Sequence, residues 1–372
     1  MSRRRLRRVA PRALWALAAA ALALPDAGCD SNARGPVAKA PPHWGPGEGG
    51  DGNPGSGNPT GGNAAGGSAG EDEPGASSSG GAVELPPPEE PPPSMPCNGN
   101  DAYCSLRYDE TCFAATHDSA ANSAKFWQHP AQDQAVREQL NYGVRALMFS
   151  IFDDGGVATV CRGSCDEGNV PLSVVLGDVA TFFDENPREV LTLLLDGELP
   201  AERLADELRA AYLDGLALPQ TAEDAWPTLE EMIESGQRLV VFAATPDAGP
   251  AWLLDRQAFI WETTKDWPSV SRMNCNPAIG DVSRPLYLVH HNLVGGDGEE
   301  SGGMGGGGGQ PSETVDASLA LAAEANEFSV VTERLQYCET QHRHVPSFVA
   351  VDFSRVGDAQ GATQVMNRVR AP

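Results

Sequence analysis

The sequence is poor in basic residues. Lysine and arginine together number 26, against 51 aspartate and glutamate residues, so the formal net charge at pH 7 is −25. Such an acidic chain is a poor partner for nucleic acid, and its charge argues against polybasic attachment to a membrane. We therefore expect no nucleic-acid partner. A pocket for one phosphate group remains compatible with this composition, because such a pocket needs only a few local cations.

The N-terminal region lacks an apolar run long enough to span a bilayer permanently. Six arginines among residues 3–12 precede an apolar run at residues 13–24, and this arrangement is typical of an export signal. A buried amphipathic helix fits less well, because the run has no polar face. We predict a signal peptide over residues 1–28 and an exported protein.

The residues around Cys29 bear on how the exported chain is processed. Ala27-Gly28-Cys29 is similar to the cleavage site of bacterial lipoproteins, in which the cysteine is acylated, although Asp26 replaces the apolar residue preferred there. We predict that a lipid on Cys29 anchors the protein to a membrane of the cell envelope, in the periplasm or at the surface. The alternative is ordinary cleavage and secretion of a free protein.

Two segments have the composition of flexible chain. Residues 29–96 are rich in Gly, Pro, Ser, Asn and Asp, and such a stretch buries too little apolar surface to offset the entropy of ordering it. We predict a disordered linker there, with an end-to-end distance of about 45 Å. Residues 295–310 form a glycine-rich insertion, which either gates access to a site or is tolerated without a role.

Residues 97–372 alternate between strand-like and helix-like patterns. The predicted strands are 109–116, 144–152, 158–161, 189–196, 238–244, 259–261, 285–290 and 347–353. The predicted helices between them are 132–142, 172–186, 201–213, 228–234 and 317–325. This alternation predicts an α/β fold, a parallel (β/α)₈ TIM-type barrel of the size expected for this length, with a doubly wound sheet as the alternative.

Polar side chains follow several of these strands. His117 comes after the first strand, Asp196 ends the strand at 189–196, and Asp352 ends the apolar part of the last. The last strand of a barrel adjoins the first, and the carboxyl ends of all strands meet at one mouth. We therefore expect Asp352 to lie within reach of His117, where a carboxylate orients the ring and raises its basicity.

An ordered set of segments resembles the X domain of phosphatidylinositol-specific phospholipase C and its secreted bacterial relatives, the phospholipase C-like phosphodiesterases. The matching segments are Arg107-Tyr108-Asp109-Glu110, Thr116-His117-Asp118-Ser119, Gly143-Val144-Arg145, Asn186-Pro187-Arg188-Glu189-Val190, Arg238-Leu239-Val240-Val241-Phe242 and Pro346-Ser347-Phe348-Val349-Ala350-Val351-Asp352-Phe353. The resemblance covers nearly all of residues 97–372. It implies a TIM-type barrel, distorted or incompletely closed, at residues 97–372.

The resemblance also implies a chemistry. In that family a first histidine takes a proton from the inositol 2-hydroxyl, which attacks the phosphorus, and a second histidine protonates the leaving diacylglycerol oxygen. His117 matches the first histidine and Asp352 its orienting acid. Asp118 matches the neighbouring polar position, which is a metal ligand in calcium-using members.

The second histidine is missing from its expected place, because Cys161-Arg162-Gly163 stands where secreted relatives have Cys-His-Gly. Arginine keeps its proton at neutral pH and cannot act as a general acid, although it can bind a phosphate through two donors. His290 and His291, which follow the strand at 285–290, are the candidates for a replacement acid. We predict that Arg162, Asp196, His290 and His291 contact the ligand.

The acidic residues do not predict a calcium site. Ser150 stands where relatives often have an aspartate that binds the metal. Asp118 and Asp196, with only Glu198 close by, offer too few oxygens, because Ca²⁺ takes six to eight. We therefore expect no metal and no other cofactor.

Seven cysteines follow Cys29, in a compartment that permits disulfides. We predict the pairs Cys97–Cys104, Cys161–Cys165 and Cys275–Cys338, although spacing alone does not prove connectivity. Cys112 is left over in the first strand, as a small buried thiol.

Three functions fit these patterns. The first is a monomeric phosphoric diester hydrolase of the cell envelope, acting on a phospholipid head group or similar phosphodiester, with turnover reduced by the loss of the second histidine. The second is an inactive relative that binds an anionic phospho-ligand. The third is a surface-tethered structural domain without a small ligand.

Overall fold

The computed structural model describes residues 95–244, 249–295 and 317–371. The predicted signal peptide, the lipidation site at Cys29, the linker up to residue 94 and the insertion from residue 296 lie outside the described residues.

Eleven strands form one sheet in the described residues. They are β1 (Phe113–Thr116), β2 (Ala146–Asp154), β3 (Val157–Arg162), β4 (Ser164–Pro171), β5 (Leu191–Gly197), β6 (Leu239–Ala243), β7 (Leu253–Asp255), β8 (Ile260–Thr263), β9 (Pro277–Ile279), β10 (Leu286–His290) and β11 (Phe348–Val351). Their spatial order is β7-β6-β5-β2-β1-β11-β10-β8-β9, with the β3–β4 hairpin attached to β2.

Eight of these strands build a parallel barrel. β1, β2, β5, β6 and β7 follow one another on one side, and β11, β10 and β8 follow on the other side of β1 through parallel ladders. Within the described residues no ladder joins β7 to β8, so the cylinder is open along that seam. The prediction of an incompletely closed TIM-type barrel is confirmed, and the doubly wound alternative is wrong, because β1 pairs with the last strand.

Eight α-helices accompany the described strands. They are α1 (Val136–Asn141), α2 (Leu172–Glu185), α3 (Ala201–Ala210), α4 (Leu229–Ser235), α5 (Arg256–Phe259), α6 (Leu319–Ala325), α7 (Phe328–His342) and α8 (Ala359–Arg368). The sequence analysis did not predict α5, α7 or α8, nor the strands β4, β7 and β9. No helix within residues 95–244, 249–295 and 317–371 combines the length and apolar character needed to cross a membrane.

The core has an inner and an outer layer. Inside the barrel, Phe113, Met148, Leu194, Phe242 and Phe348 belong to one buried cluster. Outside it, a second cluster joins α2 and α3 to β2 and β5, and a third joins α7 and α8 to β10 and β11. Strands covered on both faces have the continuous apolar sequences seen in β5 and β6.

The three predicted disulfides are confirmed. Cys97 pairs with Cys104, Cys161 with Cys165, and Cys275 with Cys338, across sequence separations of 7, 4 and 63 residues. Cys112 is free and buried. Burial raises the pKa of its thiol to about 12, so it stays protonated at neutral pH.

Candidate active site

The pairing of β1 with β11 brings His117 and Asp352 together. Thr116 lies opposite Val351 in the parallel register, and the next residue of each strand reaches the mouth. His117 Nδ1 lies 3.4 Å from Asp352 Oδ1, with side-chain exposures of 12% and 8%. Nδ1 is buried and makes no hydrogen bond, so the two groups lie close together without a hydrogen bond between them.

His290 lies on the other side of His117. It ends β10, and its Nδ1 is 2.8 Å from His117 Nε2. The two rings are nearly coplanar, with planes 7° apart and centroids 5.1 Å apart, so they meet edge to edge through their nitrogens. His290 Nε2 lies 2.9 Å from Glu262 Oε2 on β8. Asp352, His117, His290 and Glu262 therefore form one line of four groups, named here the proton line.

The protonation of His290 follows from its surroundings. Burial lowers its pKa to about 4, and the charges of His117 and Arg256 add to the effect, although Glu262 opposes it. A neutral His290 donates through Nε2–H to the carboxylate of Glu262, which leaves Nδ1 as an acceptor. His117 must then donate its Nε2–H to His290. We assign these tautomers from the hydrogen-bond partners.

Arg256 contacts Glu262, at one end of the proton line, and the neighbouring carboxylate of Asp196. It starts α5, the short helix that connects β7 to β8 at the open seam, and its Nη1 lies 2.6 Å from both carboxylate oxygens of Asp196. Its Nε donates to Glu262 Oε1 at 2.9 Å. Burial alone would raise the pKa of Glu262, but the hydrogen bond from His290 and the charge of Arg256 outweigh it, so this pKa lies below its usual range.

Arg162 reaches the mouth from the β3–β4 hairpin, beside the Cys161–Cys165 disulfide. Its Nε lies 3.1 Å from Asp118 Oδ2, and its Nη1 donates to the carbonyl of His129 at 2.6 Å. Burial raises the pKa of Asp118, although the charges of Arg162 and His117 oppose the rise.

These groups surround one cavity of about 480 Å³ at the carboxyl ends of the strands, within the usual range for small-molecule sites. The predicted residues His117, Asp118, Asp352, Arg162, Asp196 and His290 all line it. Its walls also carry cations that sequence analysis did not identify, which are Arg256, Lys265 and Arg284. The lining therefore carries charges of both signs, because five carboxylates, those of Asp118, Asp196, Glu262, Asp266 and Asp352, line the cavity beside these cations.

His291 does not line this cavity, contrary to the prediction. It is fully buried, its Nε2 contacts the carbonyl of Ala325 at 2.8 Å, and its Nδ1 contacts Arg334 at 3.0 Å. Successive side chains at a strand end face opposite sides, so His290 and His291 cannot both point into the mouth. Burial lowers the pKa of His291 to about 3.

Sequence analysis missed Glu262 and Arg256. Glu262 is the one acidic residue of β8, in the sequence Ile260-Trp261-Glu262-Thr263, and it is buried. A charged residue near the carboxyl end of an apolar strand is the signal that could have identified it. Arg256 follows the short strand β7, which was not predicted, so nothing local marked it.

The carboxylates at the mouth do not fit a calcium ion. Asp118 contacts Arg162, Asp196 and Glu262 contact Arg256, and Asp352 contacts His117. Arginine therefore already neutralises most of the oxygens that a cation would need. In the parts of the chain that the structure describes, no group of three or more His, Cys, Asp or Glu residues has the arrangement of a metal site.

Comparison with known proteins identifies relatives. The family described as PI-PLC X 1 matches residues 103–367. The PI-PLC X domain-containing protein 1 of Arthroderma benhamiae is 32% identical over 295 residues, which cover 73% of this chain and 89% of that protein. An uncharacterized secreted protein of the same organism is 28% identical over 289 residues, covering 72% of this chain and 62% of that protein.

Solved structures are similar at lower identity. The phosphatidylinositol-specific phospholipase C of Listeria monocytogenes superposes with a TM-score of 0.45 at 15% identity, covering 72% of this chain and 97% of that chain.

Proposed function

Since this chain belongs to the PI-PLC X family, we propose that it is a phosphoric diester hydrolase of the cell envelope, with His117 as general base on the phosphodiester of a phospholipid head group or a similar ester. The single observation that supports this role best is the position of His117 in the cavity. It lies 3.4 Å from the carboxylate of Asp352, and Arg162 lines the same cavity.

Each step of the proposed reaction uses a group at the mouth. Arg162 binds a phosphate oxygen of the ligand, because a guanidinium is a strong donor to phosphate. His117 takes the proton of the attacking hydroxyl as the new O–P bond forms. Arg162 keeps its proton, so it cannot supply one to the leaving oxygen. Loss of a general acid typically costs about 10²–10⁴-fold in rate, so turnover is low unless another group replaces it.

The location follows from the N-terminal residues. We propose that the chain is exported, that a lipid on Cys29 anchors it, and that the barrel works as a monomer held away from the membrane by the linker. The description of one relative as secreted supports the export step. Mass spectrometry of the mature N-terminus tests the anchor, and an unmodified cysteine or a cut elsewhere would contradict it.

The test of the hydrolase is the variant His117→Ala, assayed on phosphatidylinositol vesicles and on a chromogenic aryl phosphodiester, with EDTA and with Ca²⁺. We expect turnover to fall by about 10²–10⁴-fold on both substrates, because the base is lost. His344→Asn is the matched control, since His344 precedes β11 at the opposite end of the strands. Turnover that is unaffected by His117→Ala would remove this residue from its proposed role.

A second candidate is a phospho-ligand-binding domain without turnover. One observation favours it: both nitrogens of His117 and both nitrogens of His290 already face protein groups within the proton line. In this case the wild-type domain binds a soluble head-group phosphodiester in calorimetry but does not hydrolyse it. Arg162→His should then raise hydrolysis if the remaining pocket is intact.

A further inference from the structure

The cavity contains a second imidazole, although not at position 162. His290 lies on β10, and its side chain is 4% exposed. Its backbone is held on both sides, because its N–H donates to Thr263 Oγ1 at 3.0 Å and its carbonyl accepts from Arg334 Nη1 at 2.7 Å. Its ring is held by Glu262. A carboxylate that orients an imidazole from behind is the arrangement that acid–base histidines use.

We propose that His290, oriented by Glu262, is the second catalytic imidazole of this site and donates the proton to the leaving oxygen. This inference rests on the proposed function, in which His117 is the base. It assigns to β10 the role that residue 162 cannot fill in this chain.

The proton line explains how two neighbouring rings can act as an acid and a base. Its four groups have three contacts between them, and with both carboxylates ionised the line can hold three protons. One is on His290 Nε2 and is donated to Glu262, one is on His117 Nδ1 and faces Asp352 at 3.4 Å without a hydrogen bond, and the third lies in the 2.8 Å contact between the two rings. Whichever ring holds this third proton is the acid, and the other ring is the base.

The surroundings decide where the shared proton lies at rest. Burial lowers the pKa of His290 to about 4, so the proton lies on His117 Nε2 in the free protein. The groups that face His290 are Glu262 on β8, His117 on β1, Arg256 on α5 and Arg334 on α7. Transfer of the shared proton to His290 Nδ1 prepares the reactive form, and it costs free energy. Since the two rings titrate together, the pH dependence belongs to the pair.

A phosphodiester does not fit between nitrogens that are 2.8 Å apart, so the ligand separates the rings. His290 leaves the contact with the proton on Nδ1, and His117 leaves with a lone pair on Nε2. The O–H bond of the attacking hydroxyl then breaks, its proton goes to His117 Nε2, and its oxygen forms a bond to phosphorus. The bond from phosphorus to the leaving oxygen breaks with its electron pair, and this oxygen takes the proton from His290 Nδ1.

The direct contact between the rings also resets the site. After the reaction His117 carries one additional proton and His290 has lost one. When the product leaves and the contact forms again, the proton once more lies between the two nitrogens. The resting state returns without exchange with solvent.

The test compares leaving groups in the full folded chain. Phosphatidylinositol has an alkoxide leaving group, which needs a proton, whereas an aryl phosphodiester has an activated leaving group, which does not. We expect His290→Asn to lower the turnover of phosphatidylinositol by about 10²–10⁴-fold and that of the aryl ester by much less. His117→Asn should lower the turnover of both substrates, because both reactions need the general base.

Two further variants separate catalysis from folding. Glu262→Gln keeps a hydrogen-bonding group beside His290 but removes its charge, and it should show the same preference for the aryl ester at a smaller loss. His291→Asn alters the adjacent buried histidine. It should change the turnover of both substrates by the same factor or leave it unchanged.

The outcomes are distinct from those of the proposed function. Equal losses on the two esters for both His290→Asn and Glu262→Gln would assign His290 a structural role and overturn the inference. No loss on either ester would overturn it as well. If His117→Asn retains full turnover, the proposed function itself fails, whatever His290 does.

Discussion

The two ends of this barrel are filled in different ways. At the end where the strands start, Tyr108 stacks on Trp226 with centroids 4.6 Å apart, and it also contacts Phe113 and Phe348. All four rings are buried. At the mouth, arginines, carboxylates and two histidines take their place. One cylinder therefore has an aromatic end and a charged end.

The two ends differ in what their side chains contribute to the protein. Aromatic rings at the first end remove apolar surface from water, which stabilises the fold. Charged groups at the mouth lose hydration, and their mutual attraction only offsets that cost. The charged end is therefore expected to contribute little to stability while it carries the reactive groups, and the aromatic end is expected to do the reverse.

The largest expected effect of a single substitution on stability is at the aromatic end. Trp226→Ala should lower the free energy of unfolding by about 3–5 kcal/mol, because a buried ring is lost and a cavity remains. Denaturant unfolding measures the loss, and the hydrolysis rate per folded molecule should not change. Tyr337→Ala is the control, since Tyr337 is 61% exposed on α7. A loss of turnover in folded Trp226→Ala would contradict the separation of the two ends.

Acid should destabilise the barrel through His290, at the charged end, and through His291, buried behind it. The pKa values of His290 and His291 are lowered from 6.5 to about 4 and about 3, so both are neutral when folded. Between these values and pH 6.5 the unfolded chain binds more protons, so stability falls as the pH falls. The loss is about 3 kcal/mol for each histidine by pH 4. Glu262, with its lowered pKa, acts in the same direction at still lower pH.

The measurement is the melting temperature between pH 7.5 and pH 4. His291→Asn should flatten the decline, because one of the two groups no longer titrates. In the Trp226→Ala variant the melting temperature should be lower at every pH but should fall with pH at the same rate as in the wild type. A melting temperature that stays constant between pH 6.5 and pH 4.5 would contradict the burial of two neutral histidines.

The smallest effect concerns the disulfide at the mouth. Replacing Cys161 and Cys165 by serine opens a loop with a sequence separation of only 4, which should cost about 2 kcal/mol. Turnover per folded molecule should also fall, because the β3–β4 hairpin that this disulfide closes positions Arg162. Replacing Cys275 and Cys338 opens a much longer loop, so it should cost about 4 kcal/mol without affecting turnover. Equal turnover in the two double variants would contradict the role of the hairpin.

Local sequence predicted most of the framework. The helix expected at residues 172–186 is α2, Leu172–Glu185, and the strand expected at 189–196 is β5, Leu191–Gly197. These elements have strong apolar patterns, which local sequence determines. α7 was not predicted, although Val331, Leu335 and Cys338 lie on one buried face at helical spacing. β7 and β9 have only three residues each, too few for a strand pattern to be recognised.

The sequence by itself determined the alternation of strands and helices and the presence of His117 and Asp352 after the first and last strands. It predicted the three disulfide pairs, whose connectivity the structure then showed. Only the tertiary structure decided that His290 rather than His291 faces His117, and that Glu262 and Arg256 support it. The reason is physical. A contact between rings 173 residues apart depends on the order and register of β1, β11 and β10, and many distant side chains set these together.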